Sequence, residues 1–446
     1  MDKPIDISHR QVLRQAWPLI LANCTVPLLG LADTAVLGNF GSVTDLGAIA
    51  LGSLIFSFLY WGFGFLRMGT TGFIAQADGR GEEAEIRAVI LRALLLALVI
   101  AAALLVIQIP AVTLAFSLLN GSELVETTAG DYFAIRIWGA PATLGTFVVI
   151  GALVGLGESR KLLGLQVLLN FLNITLDIYC AGDLMRGAEG IAAGTLLAEW
   201  TAFAVGLLMV WRLMRGRQQD PEPFLVPDRL RNRKRLLSLL TANSDIMIRT
   251  LLLVFSFAWF TNQSAGFGDV TLAATHVLLQ LIAFSAFFLD GFAFVGESLV
   301  GRAIGACNRR ALHSAIRKTT EIAAVTATLL AVLVLGAGQF VVMLLTNIEA
   351  VRSQAAFQMS FAAAYIFLSF AAFQLDGIFI GATLTRQMRN ASLAATAWFM
   401  LAWMVLTPRF GITGLWLACI TCVCARAVAL LYYFPSVVRQ IRRDSD

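Results

Sequence analysis

Charged side chains are scarce in this sequence: 14% of its 446 residues are Asp, Glu, Lys or Arg, where a water-soluble domain carries about 25%. With 58% hydrophobic residues and a mean hydropathy of +0.78, a soluble fold would have nowhere to hide its apolar surface. Histidine is scarcer still, three in all, and His276, the one inside an apolar run, is expected to be a satisfied core residue. No HExxH, P-loop, nucleophile-elbow or glycine-rich nucleotide motif occurs, so the chain reads as no enzyme, with no cofactor and no ATP hydrolysis of its own. A cleavable signal is missing too: the start, MDKPIDISHRQVLRQ, is polar, and the apolar run after it is long enough to be kept as a span. The six cysteines lie in or beside apolar segments. Cys419, Cys422 and Cys424 form C-x-x-C-x-C with no His or carboxylate nearby, which favours packing over a metal site.

Long apolar runs recur along the whole chain, each near the roughly 20 residues a helix needs to cross about 30 Å of hydrocarbon. Stretches such as Ala93 to Ile107 are apolar on every face, unlike the period-two alternation of a membrane barrel. Twelve spans are predicted, at 12–37, 46–76, 88–112, 128–155, 161–183, 188–212, 236–262, 270–301, 314–346, 353–383, 390–408 and 411–437. The connecting loops are of two kinds. One set is basic, carrying Lys3, Arg10, Arg80, Arg87, Arg160, Lys161, Arg309, Arg310, Arg386 and Arg389 among others; the opposite set offers only Arg186, Arg352 and Arg409. By the positive-inside rule, both termini and the central loop face the cytoplasm of an inner (plasma) membrane. The net charge of +5 is thereby explained without nucleic acid.

An internal repeat is visible. Gly151 and Gly155, at the end of the fourth span, are answered by Gly377 and Gly381 at the end of the tenth, a step of 377 − 151 = 226 residues; Ala77-x-Gly79 and Ala303-x-Gly305 repeat at the same step, and Gly187-x-x-Gly190 and Gly411-x-x-Gly414 at 224. The step covers six helices, an even number, so the halves are parallel repeats. The expected fold is an all-α membrane protein of about twelve transmembrane helices in two six-helix lobes around a central cleft. The N-lobe would take residues 1–214, a solvated cytoplasmic linker 215–235, and the C-lobe 236–446. Such a plan suits alternating access.

Ionisable residues at bilayer depth cost about 2.5–3.5 kcal/mol on insertion scales and mark pathways or internal pairs. Asp33 falls in the first span, which Pro18 and Pro27 allow to bend. In the fifth span Asn170, Asn173 and Asp177 form N-x-x-N-x-x-x-D; Asn173 and Asp177 share one helix face, where the amide can hold the carboxylate or a bound ion, and Thr195 of the next helix can add a hydroxyl. In the second half, Asp245 and Arg249 at i, i+4 read as an internal ion pair. Asp290 and Glu297, two turns apart, either line the cleft or anchor Arg67 or Arg426. Asp376, preceded by Gln374, is a further candidate.

The strings WPLI and PLLGLADTAVLGNFG, the turn GLGESRK, N-x-x-x-D in the fifth span, and FLDGFAFVGESLVGRAIGA with FQLDGIFIGAT resemble the multidrug and toxic compound extrusion (MATE) family, in its DinF-like branch, over essentially the whole chain. The resemblance implies antiport: a small organic molecule leaves as H⁺, or alternatively Na⁺, enters. It would give the cation and substrate site to Asp33, Asn173, Asp177 and Thr195, with Na⁺ placed at Asn173 and Asp177, and the bending role to Pro18. One departure is Leu29, where some relatives carry Tyr. A low-dielectric site favours a neutral carboxyl and a bound cation a charged one, so a proton and a cationic compound would compete there. The expected partners are small-molecule drugs or toxic metabolites and membrane lipids, with no nucleic acid, and the chain would work as a monomer. The rival reading, a lipid-linked oligosaccharide flippase, would need many more basic residues in its spans than Arg67, Arg136, Arg249 and Arg426.

Overall fold

The structure, a computed structural model, describes residues 7–25, 30, 33, 35–36, 42–118, 122–184, 187–218, 227–230 and 232–443, and every regular element among them is helical. Pro27, Leu29, the Asp220-Pro221-Glu222-Pro223 stretch and Arg186 lie outside the described residues. In chain order the helices are α1 (His9–Cys24), α2 (Val43–Trp61), α3 (Phe65–Arg80), α4 (Glu83–Val106), α5 (Gln108–Leu118), α6 (Glu123–Arg136), α7 (Ala140–Gly155), α8 (Ser159–Asp177) and α9 (Gly187–Arg217). They continue as α10 (Pro227–Leu230), α11 (Arg233–Ala265), α12 (Asp269–Gly305), α13 (Arg309–Leu345), α14 (Glu349–Gly381), α15 (Thr385–Tyr433) and α16 (Pro435–Arg443).

Among the described residues, ten helical stretches are long and apolar enough to cross a membrane. The last of them, Thr385–Ile441, holds two spans joined at Gly411, whose φ of 58° breaks the helix. The first span is α1 together with the helical residues Gly30, Asp33, Ala35 and Val36. Twelve spans result, as the hydropathy pattern requires. Several overrun their predicted ends. α12 and α13 have 37 residues each, about 55 Å at 1.5 Å per residue, so their ends rise clear of a 30 Å hydrocarbon layer. The third span instead stops early, at Ile107, and restarts as α5. Pro110 sits in the first turn of α5, where its missing N–H is not needed; in an unbroken helix it would have cost a hydrogen bond.

The described chain divides into two compact units. The N-terminal unit holds Leu21–Ala77 and Glu82–Leu239; the C-terminal unit holds Met1–Ile20, Asp78–Gly81 and Leu240–Asp446. Within the N-terminal unit α9 packs on α6, α7 and α8, α2 on α6, and α4 on α7. Arg217, at the end of α9, pairs with Glu83 at 2.7 Å, and Arg235 with Glu85, so residues flanking the connecting segment are tied to the start of α4. Within the C-terminal unit α14 packs on α12, α13 and α15.

The glycine repeat is a packing device. A methyl carbon on Gly151 or Gly155 of α7 would stand 2.6 and 2.9 Å from the carbonyl oxygens of Arg67 and Thr71 of α3. One on Gly377 or Gly381 of α14 would collide with the carbonyls of Ala293 and Glu297 of α12. The partners repeat at the step of the glycines: 293 − 67 = 226 and 297 − 71 = 226. Helix ends repeat as well. α3 and α7 close on Gly81 and Gly157 (φ 71° and 69°), with Glu82 N–H donating to Ala77 O at 3.0 Å and Glu158 N–H to Leu153 O at 2.8 Å. α12 and α14 close with the same bonds, Asn308 to Ala303 at 2.9 Å and Leu384 to Phe379 at 3.0 Å, but their left-handed residues are Cys307 and Thr383 (φ 51° and 53°).

Candidate functional site

The polar residues of α8 meet those of α9 and the first span inside the N-terminal unit. Asn173 and Asp177 lie one turn apart on α8, and the Asn173 amide donates to the Thr195 hydroxyl of α9 at 3.0 Å. One residue before Thr195, Gly194 lets α9 come close: a methyl there would collide with the Asp177 carboxylate. The Asn170 amide donates to the backbone carbonyl of Thr25 at 3.4 Å, just beyond the end of α1. Asp33 brings its carboxyl against that of Asp177, close enough to share a proton. Exposure is 0% at Asp177, 2% at Asn173 and 7% at Asp33, which excludes a solvated cap at a helix end. Directly after Asp177 the chain winds a π-helical turn, Ile178–Asp183, a distortion frequent at functional sites.

What distinguishes this cluster is the sign of its unmet hydrogen bonding. Asp33 Oδ1, the Oδ1 atoms of Asn170 and Asn173, and both carboxyl oxygens of Asp177 are buried and find no donor among the described residues. Ionised carboxylates and amide oxygens can only accept, and such groups seldom stay buried without a partner. Carboxylate, carbonyl and hydroxyl oxygens are also the donors that hard cations take. The arrangement can therefore hold a proton bridging two carboxyls, or a cation among hard oxygens.

A neighbouring network escaped the sequence reading. Arg136 at the end of α6 donates to the Tyr132 hydroxyl at 2.8 Å, pairs with Glu199 of α9 at 3.4 Å and lies over the Phe56 ring at 5.0 Å. Its charge acts on both Asp33 and Asp177. Glu199 had a signal, an acid in the middle of an apolar span. Pro18 lies buried inside α1, where the ring leaves the Arg14 carbonyl without its helical donor.

The second-half candidates are placed otherwise. Asp245 and Arg249 do not pair. Asp245 is held by Arg389 at 2.7 Å and by the Thr385 hydroxyl at 3.1 Å, whereas Arg249 bonds Asp376. The i, i+4 spacing offered a local partner, and residues from α14 and α15 supplied better ones. Arg426 has its ionic contact with Asp376, at 3.8 Å, rather than with Asp290 or Glu297. Glu297 is buried and Asp290 partly so, both on α12. Gln374 donates to Thr319 at 2.6 Å. His276 is exposed, 3.4 Å from Gln280, and is no core residue.

Comparison with known proteins places this architecture. Residues 18–209 and 246–406 match the MatE family. The chain is 36% identical to DNA damage-inducible protein F of Escherichia coli (strain K12) over 95% of its own length and 91% of that protein. It is 27% identical to multidrug resistance protein MdtK of Klebsiella pneumoniae subsp. pneumoniae over 47% of the chain and 46% of that protein. Its fold superposes on a crystal structure of MATE in the bent conformation with a TM-score of 0.87 at 18% identity, covering 99% of this chain and 98% of that one. The Vibrio cholerae MATE transporter VcmN in its bent form gives 0.85 at 17% identity, with 97% of each chain covered. The chain belongs to the MATE family, in its DinF-like branch, and is a multi-pass membrane transporter of that family rather than an enzyme.

Proposed function

We propose that this transporter is a secondary active multidrug antiporter that exports cationic or amphipathic organic molecules in exchange for H⁺ by alternating access. The observation that carries the reading is the buried pair Asp33 and Asp177 set among acceptors that lack donors. A cluster of that kind binds one positive charge well and two badly, which is the requirement for exchange. A proton shared by the two carboxyls takes one negative charge from the pair, and a cationic substrate, held by the remaining charge alone, binds less tightly and leaves. Asn173, Thr195 and Asn170 add polar oxygens beside the carboxyls, and α1, short of a hydrogen bond at Pro18, supplies the bend. The name of the MdtK relative supports small organic substrates. In this reading residues 1–214 and 236–446 are the two lobes, 215–235 their linker, and both termini face the cytoplasm of the inner membrane. The protein works as a monomer among lipids. Asp290, Glu297 and Asp376 serve the substrate path only secondarily.

A second reading exchanges Na⁺ instead, favoured by the donor-free amide oxygens of Asn170 and Asn173. The test is efflux of a cationic dye from vesicles holding the wild type or the Asp33→Asn variant, with proton and sodium gradients imposed separately. Flux that follows the proton gradient and disappears in the variant is expected. Flux that follows sodium transfers the assignment, and absence of flux under both gradients overturns the antiport reading.

A further inference from the structure

The C-terminal unit contains a small cavity of the opposite polarity. About 30 Å³ in volume, it is walled by Phe257, Tyr365, Phe399, Cys422 and Arg426 among others, and no carboxylate stands on its wall. Arg426 is 7% exposed. The Asp376 carboxylate, 3.8 Å from it, is already hydrogen-bonded to Arg249, and the Arg426 Nε finds no acceptor among the described residues. Arg249 and Arg426 thus both turn to the one carboxylate of Asp376. A buried guanidinium with an unused N–H is costly unless an acceptor reaches it. Tyr365, on the same wall, adds a phenolic O–H, and Phe257 packs on its ring with centroids 6.2 Å apart. Volume sets the size of the occupant. A site of this volume suits a small occupant, of the size of one or two waters.

We propose that this cavity is a monatomic anion site, occupied by chloride, that neutralises Arg426. The site goes beyond the antiport reading and stands or falls apart from it. Bound chloride would hold α11, α14 and the second stretch of α15 together around one ion.

The test uses the full-length protein in detergent, with thermal unfolding followed in sodium chloride, sodium bromide and sodium gluconate at one ionic strength. ³⁵Cl line width is measured on the same samples. Chloride and bromide are expected to raise the midpoint by about 2–4 °C over gluconate, the shift that a ligand near ten times its dissociation constant gives a unit of this size. The wild type is also expected to broaden the ³⁵Cl line. Arg426→Gln should abolish both effects and Tyr365→Phe should halve them or more; if Arg426→Gln does not fold, Tyr365→Phe carries the comparison. Equal midpoints in chloride and gluconate with no line broadening would mean a water-filled cavity and overturn the proposal. So would a chloride effect that persists undiminished in both variants, because it would then be a bulk salt effect.

Discussion

Counted 226 residues apart, the two units lay down the same helix crossings with different side chains. Asp33 and Asp177 adjoin in the N-terminal unit. One step on, 33 + 226 = 259 and 177 + 226 = 403, stand Trp259 and Trp403, edge to face with ring centroids 5.1 Å apart. The contact between the first and fifth helices of a unit is kept, while a pair of carboxyls is exchanged for a pair of indoles. The carboxylates Asp245 and Asp376 of the C-terminal unit lie elsewhere, and arginines hold both. Duplication supplied a frame, and a cluster open to a proton or cation was built into one copy of it.

The sharpest way to break this contrast is to remove carboxylates one unit at a time. Asp33→Asn or Asp177→Asn should abolish proton-driven dye efflux while leaving the unfolding midpoint unchanged or higher, since no buried cation loses its partner. A variant that keeps its efflux would remove that residue from the coupling site. Asp376→Asn should do the reverse. It removes the carboxylate that the buried Arg249 and Arg426 share, at a cost of about 3–5 kcal/mol, visible as a fall in thermal midpoint that Arg249→Met in the same chain partly restores. If Asp376→Asn is as stable as the wild type, the pairing in that unit is not structural.

Smaller effects test whether the frame is shared. Gly151→Ala and Gly377→Ala each push a methyl onto a backbone carbonyl and should each destabilise by about 1–3 kcal/mol; a large effect at one and none at the other would mean that the two crossings differ. Smallest of all is the exchange at the helix ends. Cys307 holds φ 51° where the other unit has Gly81. Relief of about 1–2 kcal/mol of left-handed strain, less about 0.4–1 kcal/mol for the freer unfolded chain, leaves Cys307→Gly more stable by roughly 0.5–1 kcal/mol. Thermal unfolding should show Gly81→Cys shifted the opposite way.

Much of this is legible in the sequence alone. The glycines spaced by 226 announced the repeat because a close helix crossing tolerates nothing larger, and Asp33, Asn173 and Asp177 stood out because carboxyls and amides are rare in apolar runs. Partner choice was not legible. Asp245 has Arg249 one turn away and takes Arg389 of another helix instead, a choice that only tertiary packing makes. Arg136 and Glu199 were each visible as charges at depth, but 63 residues separate them, and nothing local joins them. Cys307 and Thr383 in left-handed conformations ran against residue preference, and only their counterparts Gly81 and Gly157 explain them.

The crossings at Gly151 and Gly377 have a mechanical consequence. Where one backbone rests directly on another, no side chain is available to change rotamer and absorb a shift, so neither helix can roll or slide by a fraction of a turn without a collision. α3 with α7, and α12 with α14, are therefore welded pairs. Any change of shape during a transport cycle has to be taken up outside them, at places such as Pro18 of α1 or the break at Gly411 of α15, where the helical ladder is already interrupted.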